Sequence, residues 1–289
     1  MAISFLSLPV KEELSTHLTL RKKDELDILV INHPTAKAAL ALQGAHLLRW
    51  QPEGQKPVIW LSDKSHFTKG TAIRGGIPIC WPWFGKIAQP SHGFARNMEW
   101  QLTAFSEDES GVLMTLTLQQ NDETKKIWPY DFTLIAKFKL GHECIVELES
   151  HGDYQATSAL HSYFEIANIN SIKISGLGNH YHDKVIDKVV SHTTDSSLMF
   201  TDETDRVYTS PRSQSLIYDP GLQRTIEITH HQHSDVVVWN PFELTSSLIS
   251  DMSLTGYETM ACVETARINK PLLVTDKCPV KYGVTIRIK

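Results

Sequence analysis

Two ionisable residues stand out because each interrupts an apolar run. Glu264 follows Met-Ala-Cys-Val within Met260–Ile268 (MACVETARI), and a glutamate entering a core is either paired or at work. Arg267, three residues on, is the structural partner the sequence offers it. His161 lies in Ala159–Ala167 (ALHSYFEIA), where its plain role is a hydrogen-bonded core histidine and its chemical role is proton transfer. Asp205, in Asp205-Arg206-Val207-Tyr208, follows an acidic turn and reads on its own as a solvated loop carboxylate.

The densest segment is Arg74–Gly85 (RGGIPICWPWFG). Its glycines, prolines and tryptophans suit neither a regular strand nor a helix, but do suit a rigid loop whose backbone lies close to something. An arginine entering such a loop needs a partner or solvent. His92-Gly93-Phe94-Ala95-Arg96 follows shortly, so Arg74 and Arg96 flank one apolar loop. Two guanidinium groups so placed would form a fork for an anion such as a phosphate dianion. Structural ion pairing is the plainer alternative for both.

His230-His231-Gln232-His233-Ser234-Asp235 invites a metal. On a strand, His231, His233 and Asp235 would share a face, but residues two apart are separated by roughly 6.5 Å, too far for three in a row to close on one ion. No metal site is expected there. No Walker loop, no GxGxxG after a strand and no GxSxG elbow occurs, so no cofactor machinery is visible.

The elements that must position these groups repeat with period two. Leu26–Ile31, Val112–Leu118, Thr133–Lys139, Cys144–Glu149 and Tyr282–Lys289 read as half-buried strands, and Ser234–Trp239 as another that stops at Asn240-Pro241. Leu140–Glu143 reads as a hairpin turn. Ser106–Gly111 is a second turn, between Leu102–Phe105 and Val112–Leu118. The best short helix candidate is Ser246–Ser253. Many short strands and turns, without a linker, low-complexity tract or clear repeat, predict one all-β domain, a sandwich or barrel. It spans residues 1–289, with the first 25 or so peripheral.

The composition is that of an ordinary globular chain, 289 residues with 41% hydrophobic and 21% charged. A net charge of −5 without like-charge runs argues against nucleic acid or an anionic membrane as partner. An anionic ligand must then be caught locally. The start of the chain has neither a basic region nor an apolar stretch of signal-peptide length, and no apolar run spans a bilayer. Cys80, Cys144, Cys262 and Cys278 form no CxxC pair; four reduced, mostly buried thiols and a cytoplasmic location are expected.

Taken in order, RGGIPICWPWFG, HGFAR, LHSYFEI, DRVY, SDVVVWNP and CVETAR resemble the hexose-6-phosphate mutarotase (glucose-6-phosphate 1-epimerase) branch of the aldose 1-epimerase superfamily, over roughly residues 26 to 289. The resemblance implies a large β-supersandwich of the galactose mutarotase type. It also implies cofactor-independent exchange of the α and β anomers of a hexose 6-phosphate. His161 is then the general acid and Glu264 the general base, with Glu264 ionised and His161 protonated at the start. Asp205 holds the sugar and Arg74 and Arg96 hold the phosphate. His92 lies close to the substrate. Ser91 stands where some members carry glutamine, which makes its own contact the weakest of the set.

The chemistry accounts for these residue types. Opening a cyclic hemiacetal takes a proton from the anomeric hydroxyl and gives one to the ring oxygen, so one base and one acid suffice without metal or nicotinamide. A non-catalytic phosphosugar-binding module would not need both His161 and Glu264, and a mutarotase for neutral aldoses would not need two arginines. A glycosidase built on Asp205 and Glu264 would leave His161 unexplained. A small-molecule phosphosugar is thus the expected partner, and nothing in the sequence demands an oligomer.

Overall fold

The computed structural model describes residues 4–194 and 197–289. Its architecture is three antiparallel sheets, as the period-two pattern predicts. The first is a five-stranded meander in chain order: Val10–Glu13, Leu18–Lys23, Leu26–His33, Ala36–Ala41 and His46–Pro52. The second has eight strands in the order Lys173–Ser175, Gln214–Asp219, Arg224–His231, Val280–Ile288, Cys144–Gly152, Phe132–Gly141, Gly111–Gln119 and Gln101–Asp108. The third, which carries the candidate chemistry, runs Lys188–Ser191, His180–Asp183, Thr204–Tyr208, Asp235–Asn240, Met260–Val274, Tyr154–Leu160 and Ile79–Cys80; Tyr163–Glu165 also pairs with Met260–Val274. One large apolar cluster draws on all three sheets, with Leu29, Val146 and Val263 among its members. This is a β-supersandwich.

Strand alternation explains the core. In Gly111–Gln119, Val112, Met114, Leu116 and Leu118 are buried, while the residues between them are exposed or half-buried. The hairpin predicted at Leu140–Glu143 closes with Cys144 opposite Leu140. The turn predicted over Ser106–Gly111 is tighter than expected, because strands run to Asp108 and restart at Gly111. Asp108 Oδ1 accepts both the amide and the hydroxyl of Ser110, an Asx turn that replaces ladder bonds across two residues.

Three expectations change. The helix covers Phe242–Ser247 and not Ser246–Ser253. Pro241 occupies its N-cap and the Asn240 side chain accepts the Phe242 amide, so the helix starts as soon as the preceding strand ends. Leu18, within the segment expected to be peripheral, is fully buried, since Leu18–Lys23 pairs with Leu26–His33. His231, His233 and Asp235 do not form a strand row: one strand ends at His231, Gln232 takes a positive φ, and the next begins at Asp235. His231 meets the Thr285 hydroxyl, and Asp235 accepts the Ile268 and Asn269 amides.

Candidate active site

Glu264 sits mid-way along Met260–Val274, directly opposite Val237. Ala261 and Val263 face the main core, so Glu264 must face the other way, with Cys262 and Ala266. There it lies between two smaller apolar clusters. One holds Trp60, Tyr163, Met252, Met260 and Cys262; the other holds Cys80, Ala159, Val207, Val237 and Ala266. This explains an acidic side chain that is only 1% exposed.

His161 reaches the same face from the end of Tyr154–Leu160, its backbone amide held by the Pro78 carbonyl at 3.0 Å. Its Nε2 lies 3.4 Å from Glu264 Oε1. His161 Nδ1 and Glu264 Oε2 are buried and have no hydrogen-bond partner among the described residues. Orphaned polar atoms of this kind are costly in a finished core, and two on one contacting pair leave both groups able to take a further hydrogen-bond partner. Arg267 is not the partner of Glu264. Its guanidinium donates to the carbonyls of Lys270, Gln232 and Pro271.

The loop that brings in the cations is locked by close backbone packing. A Cβ on Gly76 would lie 2.4 Å from His46 Nε2, and one on Gly93, at φ 74°, would lie 2.0 Å from the Trp81 carbonyl oxygen. Only glycine fits at either position. His92 then packs edge-on to His161, with centroids 5.7 Å apart. Arg96 Nη2 donates to the Ser91 carbonyl at 2.7 Å, while its Nε is buried without a partner. Arg74 Nε donates to Asp251 Oδ1 at 3.0 Å, and its Nη1 donates to the Tyr163 hydroxyl at 3.2 Å. The fork is therefore unequal. Asp251 already offsets Arg74, whereas Arg96 has no carboxylate partner among the described residues.

On the other side, Asp205 lies in Thr204–Tyr208 opposite Trp239 and forms an ion pair with Lys184 Nζ at 3.0 Å. Lys184 also stands 5.7 Å from the centre of the Phe84 ring. Asp205 is close enough to Glu264 to act on its ionisation. All seven residues singled out in the sequence thus gather at one place, although for Ser91 the contributing atom is its backbone carbonyl.

The environment of the pair works against the expected ionisation. Burial holds the Glu264 carboxyl well above its ordinary value, and the nearby Asp205 charge adds to this. Burial also holds His161 well below its ordinary value, with His92, Arg96 and Arg74 adding to it. Both shifts favour a protonated carboxyl beside a neutral imidazole. His92 is pushed down to about 3, by burial first and then by Arg96, Lys184, Arg74 and Lys86, so it too is neutral.

Tyr163, Asp251, Lys184 and Trp239 were not singled out by the sequence. Tyr163 is two residues from His161, and that spacing was the one available signal. The other three contribute through pairings across long stretches of chain that no local pattern announces.

The aldose 1-epimerase family profile matches residues 27–289. A relative from Salmonella typhimurium, 50% identical over 97% of this chain and 96% of its own, is named "Putative glucose-6-phosphate 1-epimerase", as is one from Escherichia coli K12, 48% identical over 98% of this chain and 97% of its own. A crystal structure described as a "putative mutarotase" from Salmonella typhimurium superposes with a TM-score of 0.96 at 49% identity, covering 98% of this chain and 97% of that one. With the fold and these relatives in agreement, the chain belongs to the aldose 1-epimerase family and is an isomerase.

Proposed function

We propose that this enzyme interconverts the α and β anomers of a hexose 6-phosphate, glucose 6-phosphate foremost, using Glu264 and His161 and no cofactor. One observation supports this above the others: His161 and Glu264 touch, each with a buried unpaired atom, beside an arginine that no carboxylate offsets among the described residues. The names of the full-length relatives point to the same substrate.

Anomer exchange needs one mobile proton and two sites for it, and the buried pair supplies both. As the bond from C1 to the ring oxygen breaks, the anomeric hydroxyl loses a proton to one partner while the other protonates the ring oxygen. Rotation about C1–C2 and the reverse transfers close the opposite anomer. With Glu264 as base and His161 as acid, the pair's proton must sit on His161 at opening. Arg96 and Arg74 oppose that in the free enzyme. A phosphate dianion seated against Arg96 would cancel their field and draw the proton across the 3.4 Å contact onto His161. The phosphate would therefore assist the chemistry as well as binding. Asp205, released from Lys184, would accept sugar hydroxyls and align C1.

We further place the enzyme in the cytoplasm as a monomeric single domain. Its four cysteines are unpaired, three of them buried, and no described helix is long and apolar enough to cross a membrane. The test of the substrate is NMR exchange spectroscopy on the anomers of glucose, galactose and mannose 6-phosphates and of the free sugars. The proposal expects kcat/KM for at least one 6-phosphate to exceed that of its free sugar by tenfold or more, as a charge-assisted contact allows. Equal rates on both would reassign the enzyme to plain aldoses.

A further inference from the structure

Tyr163 touches both ends of the site. Its ring is nearly parallel to the His161 imidazole, with centroids 4.8 Å apart and 10° between planes. Trp60 lies near-parallel to Tyr163 as well, at 5.9 Å and 18°. Trp239 meets His161 and Tyr163 edge-on, both at 6.0 Å. The stack is anchored at its far end, where Trp60 Nε1 donates to the Thr259 hydroxyl at 3.2 Å. Tyr163 itself is 2% exposed, and its backbone is fixed on both sides: its amide donates to Gly76 and its carbonyl accepts from Trp60, each at 3.0 Å. Its hydroxyl, kept protonated by burial, accepts from Arg74 Nη1.

Besides this stack, the edge of His92 at 5.7 Å is the other ring contact of the imidazole among the described residues. His161 Nδ1 has no hydrogen-bond partner, so the ring lacks the second-nitrogen anchor that usually fixes the orientation of a working histidine. Its one ion-pair contact among the described residues is Glu264, the group with which it must exchange roles. Flat stacking between Trp60–Tyr163 on one side and the edge of Trp239 on another can supply that restraint instead. Aromatic pairs of this kind are worth about 0.5–1.5 kcal/mol each, enough to favour one rotamer clearly.

We infer that Tyr163 is a positioning residue with two parts: its ring fixes the plane of His161, and its hydroxyl fixes Arg74, so that the anion end and the proton-transfer end of the site are held in one register. This rests on the proposed roles of His161 and Arg74. Small misplacements of reacting groups are expensive, about 100-fold in rate for 1 Å, so loss of the stack should be read in kcat.

Two substitutions separate the parts. Tyr163→Phe keeps the ring and removes the hydroxyl; the loss should fall chiefly on KM for the hexose 6-phosphate, by about fivefold to tenfold, because Arg74 loses one of its two supports. Tyr163→Met removes the flat ring but fills the space; kcat should fall by about 10- to 100-fold on phosphorylated and free sugars alike. The His161 Hε1 resonance should also move downfield in Tyr163→Met, as the shielding ring is lost, and stay near its wild-type position in Tyr163→Phe. His161→Ala is the control for the underlying assignment. If that variant retains exchange above the spontaneous rate, the role of His161 and this inference both fail. If it is inactive while a folded Tyr163→Met keeps wild-type kcat and an unmoved His161 signal, only the inference fails. Should Tyr163→Met not fold, Tyr163→Phe decides: an unshifted KM with a reduced kcat overturns the hydroxyl link.

Discussion

Replacing Arg96 with alanine should separate substrate recognition from stability more cleanly than any other change at the site. Among the described residues, the one side-chain hydrogen bond that Arg96→Ala loses is that to the Ser91 carbonyl, worth about 1 kcal/mol, and it also removes a buried Nε that has no partner there. The melting temperature should therefore move little. Toward a phosphate dianion the same guanidinium would make a charge-assisted contact worth roughly 1.5–3 kcal/mol, about 10- to 150-fold in an equilibrium constant. KM for glucose 6-phosphate should rise by about that factor. Free glucose should be affected much less, and added salt should weaken only the phosphosugar reaction. Arg74→Ala makes the contrast. It leaves the Asp251 carboxylate and the Tyr163 hydroxyl without a donor, at about 1–3 kcal/mol each, so it should destabilise the fold more and discriminate between sugars less. The assay is exchange NMR on both sugars beside a thermal melt for each variant. Equal losses on glucose and glucose 6-phosphate in Arg96→Ala, or a larger selective loss in Arg74→Ala, would refute the unequal fork.

Glu264→Gln and His161→Ala should each reduce exchange by about 10²- to 10⁴-fold while the protein stays folded, and near-wild-type rates in either would remove that residue from the mechanism. Because burial raises the Glu264 carboxyl, its favourable contribution to stability lies below the unfolded value of 4.5 and is lost as pH rises, so Glu264→Gln should melt higher than wild type at pH 8 and not at pH 4. The pH profile of kcat/KM on a free sugar should be a broad bell, its acid limb below the ordinary histidine value and its alkaline limb above the ordinary glutamate value; an acid limb centred at 6.5 would contradict a neutral His161. His46 and His230 are buried with values lowered to about 4 and about 3, so the stability they contribute is whole above pH 6.5 and lost as pH falls toward those values. Denaturant midpoints from pH 7 to pH 4 should decline, and less steeply in His230→Gln. Activity should survive EDTA; loss restored by zinc or manganese would contradict a purely proton-transfer mechanism.

How much of this could be read in advance follows from the range of each interaction. Gly111–Gln119 and Cys144–Gly152 were legible because alternation is local, and the Leu140–Glu143 hairpin because turn residues are. His161 and Glu264 were visible as polar residues inside apolar runs. What stayed hidden were pairings set by the tertiary fold: Arg74 with Asp251 across 177 positions, Asp205 with Lys184 across 21, and Arg267 turned to nearby carbonyls when a carboxylate stood three residues away. The protonation of the pair was also hidden. It depends on how completely two apolar clusters enclose Glu264, and sequence alone does not show enclosure.

The Met260–Val274 strand has a consequence for anyone wishing to change which sugar is accepted. Its two faces are separate territories: Ala261 and Val263 belong to the main core, and Thr265 is committed to the buried His230 at 2.7 Å. Cys262 and Glu264 look the other way, beside Trp239 and Val237 on the neighbouring strand. Substitutions confined to Cys262 and Trp239 would vary the chamber while leaving the main core untouched. The same number of changes at Ala261 and Val263 would fall on the main core and cost stability.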